Sequence, residues 1–151
     1  AVDGRPIGSP LIGQSFSDPR DFWGRPSATS PQPDDGRASG GSNLGPTNPA
    51  ELAAVKGRVD ALHAADPGNR ARVPVDLVTA SGSGLDPEIS LAAAEYQRDR
   101  VARARHMSVQ AVQNAIDAHA RRPLLDLFGE PRVNVLELNL ALDHADARPI
   151  D

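Results

Sequence analysis

The sequence predicts an α+β domain: helices near 49–65, 91–105 and 109–120 on a small sheet containing 74–80 and 133–142, behind a long irregular N-terminal arm and loop. Two periodicities predict it. Leu52, Val55, Val59 and Leu62 recur at helical spacing. Two other stretches alternate with the two-residue period of a strand. In one, Val75, Leu77 and Thr79 oppose Asp76, Val78 and Ala80; in the other, Leu136, Leu138, Leu140 and Leu142 oppose Val133, Val135, Glu137, Asn139 and Ala141. The 151 residues suit one domain. Its expected parts are an arm and loop over 1–47, a core over 48–143 and a polar, frayed tail over 144–151.

In the arm, Ile7, Leu11, Ile12, Phe16 and Phe22 are separated by Gly, Ser, Pro and Asp, and Leu11–Phe16 is a candidate short strand. Phe22-Trp23-Gly24-Arg25-Pro26 is expected to staple the arm to the core. Ser27–Ser42 has no periodicity and reads as a long surface loop, of the length that is either functional or disordered.

The first helix has a local start signal: Asn48 as N-cap, Pro49 at the first helical position and Glu51 in the first turn. Asp66-Pro67-Gly68 ends it. Val73–Ala80 then reads as a β-branched strand entering the turn Ser81-Gly82-Ser83-Gly84, with Asp86-Pro87 redirecting the chain and Ser90 able to cap the next helix. That helix, 91–105, is Ala-rich and carries Arg98, Arg100, Arg103 and Arg105, a set expected to form a solvated face. Met107-Ser108 offers a break and a new cap. Val109, Val112 and Ile116 continue the helical stripe to about Ala120, before Pro123 forbids further extension. Gly129-Glu130-Pro131 turns the chain into Arg132–Asp143, the second strand, whose four leucines are expected to meet Leu52, Val55, Val59 and Leu62.

Composition excludes several function classes. Hydrophobic residues make up 39%, and 13 Gly and 14 Pro imply much loop. Five aromatic residues are too few for a base-stacking platform, and a net charge of −4 opposes nucleic acid and anionic lipid as partners. No cysteine is present, so thiol chemistry is absent from this sequence. No run of 18 apolar residues occurs to span a bilayer. Residue 1 is Ala rather than Met, so an upstream segment is expected.

Chemical motifs are scarce. Ser81–Gly84 lacks the Lys-Ser/Thr of a phosphate-binding loop, and neither serine has the flanking glycines of a nucleophile elbow. His63, His106, His119 and His144 lie apart without an i, i+4 pair, so helix-end or solvated roles are expected rather than a metal site. Asp76, Glu137 and Asn139 are expected to hydrogen-bond neighbouring loops.

Five stretches carry a family resemblance: Gly8-Ser9-Pro10-Leu11-Ile12-Gly13-Gln14; Phe22–Ala28; Ala38–Pro49; Val75–Pro87; and Gly129–Leu142, which reads Gly-Glu-Pro-Arg-Val-Asn-Val-Leu-Glu-Leu-Asn-Leu-Ala-Leu. In this order they closely resemble the extracytoplasmic portion of KdpC, the small C subunit of the bacterial Kdp potassium-transporting ATPase. The resemblance implies a soluble domain on the outer face of the cell membrane, anchored by a single transmembrane helix before Ala1. It also implies as partners a channel-like potassium-binding subunit and a P-type pump subunit. ATP and potassium belong to that complex, and the resemblance assigns this domain no cofactor or metal of its own. Three positions depart from the family: Glu88 stands where His is usual, Asp21 where Tyr is usual, and Leu91 where Pro is common. A role of that histidine does not transfer to Glu88.

Three functions remain open at this point. The first is a non-catalytic accessory subunit that supports assembly of the potassium-binding and ATP-hydrolysing subunits. The second is a catalytic chaperone that raises the pump subunit's affinity for ATP; the third is an orphan serine hydrolase using Ser81 or Ser83. For the first two, the candidate partner contact is the polar turn Ser81, Gly82, Ser83, Gly84, Asp86 and Glu88, with the loop Ser27–Ser42.

Overall fold

A computed structural model describes residues 8–121 and 129–146. Among these residues the architecture is α+β, with four helices around a three-stranded antiparallel sheet. In chain order the elements are α1 (Pro49–Ala65), a 3-10 turn (Val75–Leu77), β1 (Glu88–Ser90), α2 (Leu91–Ala104), α3 (Val109–His119), β2 (Ala120–Arg121), β3 (Arg132–Asn134) and α4 (Val135–Asp146). In the sheet β3 is central, with Val133 opposite both Ile89 and Ala120. Ile89 and Val133 are fully buried and join Val101, Val112, Ile116, Leu138 and Leu142 in the core.

The helix starts follow local chemistry. The Asn48 side chain accepts the Ala50 N–H at 2.9 Å, and the Ser90 and Ser108 hydroxyls accept from Ala93 and Ala111. Each cap satisfies a backbone donor that the first helical turn leaves unpaired. α1 is the least integrated element. Leu62 is its one buried residue among those described, Val55 and Val59 are partly buried, and Leu52 is 56% exposed. Leu138 and Leu142 share the core with Leu62, but α4 lies against α3, so the expected meeting of four leucines with the α1 stripe does not occur.

Both long strands expected from alternation are absent. Over 74–80 the backbone closes on itself: Leu77 N–H bonds to the Pro74 carbonyl and Val78 and Thr79 N–H to Val75. Asp76 holds this turn against the sheet by accepting from Ser90 N–H (2.7 Å) and Ser90 Oγ (3.2 Å). Over 133–142 the strand stops at Asn134 and the rest is α4. The Asn134 side chain accepts the Glu137 N–H at 3.0 Å, which is a helix cap. Val135, Leu138, Asn139 and Leu142 form the buried face, a helical stripe that the alternating leucines conceal. Leu136 is also buried, whereas Leu140 is half-buried. The helix extends to Asp146, so 144–146 are helix rather than frayed tail, though exposed; 147–151 and Pro123 lie outside the described residues.

No strand forms at Leu11–Phe16. The arm instead crosses α2 and α4, with Phe22 fully buried and Trp23 partly buried against the core.

Candidate functional site

The turn Ser81–Glu88 and the loop Ser27–Ser42 meet. Ser83 carbonyl accepts the Gly40 N–H (2.8 Å) and the Ser39 hydroxyl (3.2 Å), and Ser27 Oγ donates to the Gly84 carbonyl at 2.7 Å. Ser27 Oγ also accepts the Asp34 N–H, while Thr29 Oγ1 closes the loop between the Gln32 carbonyl and the Asp35 N–H. Glycine is required where the segments touch. Gly84 has φ +69°, and a Cβ there would fall 2.6 Å from the Gly40 oxygen; one on Gly41 would fall 3.0 Å from the Gly82 oxygen.

Within the turn, Ser81 is buried and its hydroxyl lies 3.5 Å from that of Ser83, which accepts the Leu85 N–H. No imidazole or carboxylate bonds to either hydroxyl among the described residues, whereas nucleophilic catalysis needs a base in reach. Gly82 and Ser83 are exposed. Asp86 accepts the Glu88 N–H, pairs with Arg25 at 3.1 Å and lies 3.6 Å from Arg132. Glu88 lies 3.5 Å from Arg121, which also pairs with Glu137 at 3.0 Å. The negative charge at position 88 therefore has a cationic neighbour. Asn139 bonds the arm at Phe22, as expected of a loop-binding residue, whereas Asp76 and Glu137 bond strand residues instead of loops, Ser90 of β1 and Arg121 of β2.

A second constellation joins the arm to the helices. Asn139 Oδ1 accepts the Phe22 N–H at 2.8 Å and its Nδ2 donates to the Phe22 carbonyl at 3.0 Å. Gln97 does the same for Trp23, accepting the N–H at 2.8 Å and donating to the carbonyl at 3.1 Å. Two side-chain amides thus replace the backbone partners that a neighbouring strand would supply. Arg100 donates to the Pro19 and Asp21 carbonyls and stacks 4.7 Å from the Trp23 ring centre.

Arg105 donates to the Arg20 carbonyl and pairs with Asp21 (2.9 Å), Asp143 (2.8 Å) and Asp146 (2.8 Å), with its side chain 1% exposed. Arg100 and Arg105 are therefore buried anchors, and the expected solvated arginine face is incorrect for both. The helix must turn them inward because their positions share the stripe of Ala93, Gln97 and Val101. Polar residues on that stripe were the available sequence signal.

Burial pushes the Arg100 guanidinium down to about 10, against the pull of Asp66 and Asp21, so it stays charged at neutral pH. Burial also raises the Asp21 carboxyl, with Arg105 opposing the shift. For Arg105 burial works against the charge, but the bonds from Asp143 and Asp146 outweigh it and raise the proton affinity. Asp21, one of the departures, supplies an ion pair to a nearly inaccessible cation.

The histidines stand at helix ends: His63, His119 and His144 in the last turns of α1, α3 and α4, and His106 just after α2 with φ +56°. Among the described residues no group of three or more His, Asp or Glu side chains could hold a metal ion. No helix among them is long and apolar enough to cross a membrane.

Comparison with known proteins gives a consistent picture. The family model described as K+-transporting ATPase, c chain, matches residues 1–144. A potassium-transporting ATPase KdpC subunit of Janthinobacterium sp. is 67% identical over 141 residues, which are 93% of this chain and 75% of the relative. The same subunit of Polaromonas naphthalenivorans is 65% identical over 93% of this chain and 72% of the relative. That of Sorangium cellulosum is 67% identical over 95% and 75%. On this match across almost its whole length, the chain belongs to the KdpC family, the c chain of the K+-transporting ATPase.

Proposed function

We propose that this chain is a non-catalytic accessory subunit of an ATP-driven potassium import complex and supports assembly of its potassium-binding and ATP-hydrolysing subunits. The observation that carries the reading is the family match over residues 1–144. The geometry of the serine turn agrees with it. The Ser81 and Ser83 hydroxyls face one another in a turn braced by the arm loop, which suits a rigid contact element better than a nucleophile. In this reading the exposed Gly82 and Ser83, with Asp86 and Glu88 beside them, meet a partner subunit. A preceding membrane helix holds the domain at the outer face of the membrane. Potassium and ATP bind elsewhere in the complex.

The catalytic-chaperone alternative faces a topological demand. A domain on the outer face cannot touch a cytoplasmic nucleotide, so an effect on ATP affinity would have to pass through coupled subunit equilibria. The test is potassium-stimulated ATP hydrolysis by membranes carrying the other subunits, with this subunit deleted, whole, or reduced to its anchor. Lost assembly on deletion, rescued by the whole chain alone, is the expected result. Full activity with the anchor alone refutes a role for this domain. Intact assembly with a raised ATP requirement selects the chaperone instead. A burst of product from an ester substrate, abolished by Ser81→Ala or Ser83→Ala, would overturn the non-catalytic reading.

A further inference from the structure

Between the arm and α1 lies an open cleft of about 220 Å³. Its walls include Phe16 and Trp23 from the arm, Leu62 from α1 and Leu77 from the 3-10 turn, with Arg25 and Arg58 also lining it. The cleft exists because α1 seats only one buried side chain among those described, leaving space where a well-packed helix would fill it. Aromatics are scarce in this sequence, with one Trp, one Tyr and three Phe, yet Phe16 and Trp23 both remain half-buried here.

We propose that this cleft seats one protruding apolar side chain, flanked by a carboxylate, from a protein partner of this chain. The inference rests on the multi-subunit reading above. Volume fits the occupant, since an apolar cavity of about 150 Å³ accepts benzene. Charge fits its neighbour. Arg58 donates to the Val78 carbonyl at 2.6 Å, but its nearest carboxylate, Glu51, stands 3.8 Å away. Arg25 is already engaged, pairing with Asp86 and donating to the Ala80 carbonyl, so Arg58 is the cation that faces an occupant. An incoming carboxylate supplies the close anionic partner that Arg58, 29% exposed and 3.8 Å from Glu51, lacks. An apolar anchor in a pocket bordered by charge is also the arrangement that concentrates binding energy at protein interfaces. The volume is too small for a nucleotide with its phosphates, and no phosphate cradle borders it.

These 151 residues hold no cysteine, so a thiol introduced at one position is the only one in this domain. Ala61 is exposed at the cleft wall, and Gln110 is exposed on α3. In the assembled complex, Ala61→Cys should react with a maleimide about tenfold more slowly than in the isolated full-length subunit, with Gln110→Cys unchanged. Ala61→Trp plugs the cleft while leaving both arginines in place; it should keep the thermal midpoint of the isolated chain and weaken co-purification with the other subunits about tenfold. Arg58→Glu should weaken it in the same direction. Equal labelling of Ala61→Cys in the complex and in isolation overturns the proposal. So does slowing of that labelling by free benzoate but not by assembly. Deletion of the subunit without loss of assembly refutes the accessory reading separately, because labelling reports contact rather than need.

Discussion

Asn139→Leu is the sharpest test of how the arm is held. Asn139 is 2% exposed, and its amide makes both bonds to Phe22, which is itself fully buried. Leucine matches the size but leaves one buried N–H and one buried carbonyl without partners. Each such group costs about 1–3 kcal/mol, so the pair should cost about 2–6 kcal/mol. Added apolar burial offsets part of this, and about 3 kcal/mol is the expected net loss. For a chain of this size that lowers the thermal midpoint by about 6–12 °C. Urea denaturation followed by circular dichroism measures the free energy, and the emission of Trp23, the sole tryptophan, reports the neighbouring residue. A loss below about 0.5 kcal/mol, within the range of ordinary surface substitutions, would refute the claim that these amides take the place of a strand partner.

Three further outcomes follow from single contacts. Gly84→Ala should destabilise by about 2 kcal/mol or more, since φ +69° and the Gly40 oxygen both oppose a Cβ, whereas Gly82→Ala, with open space around it, should be nearly neutral in the same melts. Ser90→Ala removes the α2 cap and the hydroxyl that donates to Asp76, and should cost about 1–2 kcal/mol by urea titration. Asp21 binds its proton more tightly folded than unfolded, because burial raises it above 3.8. Its contribution is therefore fully present below that value and declines as pH rises through the raised one; Asp21→Asn should flatten this slope in urea midpoints taken from pH 3.8 upward.

Short-range chemistry decides those parts of the fold that neighbouring residues encode. The caps at Asn48, Ser90 and Ser108 act within three residues of the groups they satisfy, and α1 ends where the Asp66 N–H bonds to the Leu62 carbonyl, just before Pro67-Gly68. The three helices starting there, the α+β class and the family were accordingly legible. Alternating leucines over 136–142 satisfy both periods, so the pattern could not select between them. Helix was the legible alternative, because Asn134 and Glu137 stand three residues apart in a capping arrangement and Leu, Ala and Glu favour helix. Over 74–80 the deciding contact is Asp76 with Ser90, fourteen positions away. The turn Ser81–Glu88 was legible as a turn, but its brace from Gly40 and Ser27 was not. The arm clamp lay furthest from local reasoning. Phe22 and Asn139 are 117 positions apart, and Trp23 and Gln97 are 74 apart. No local preference encodes such pairs; only the tertiary placing of the arm across α2 and α4 sets two amides opposite a stretch of backbone whose polar groups must be satisfied once buried.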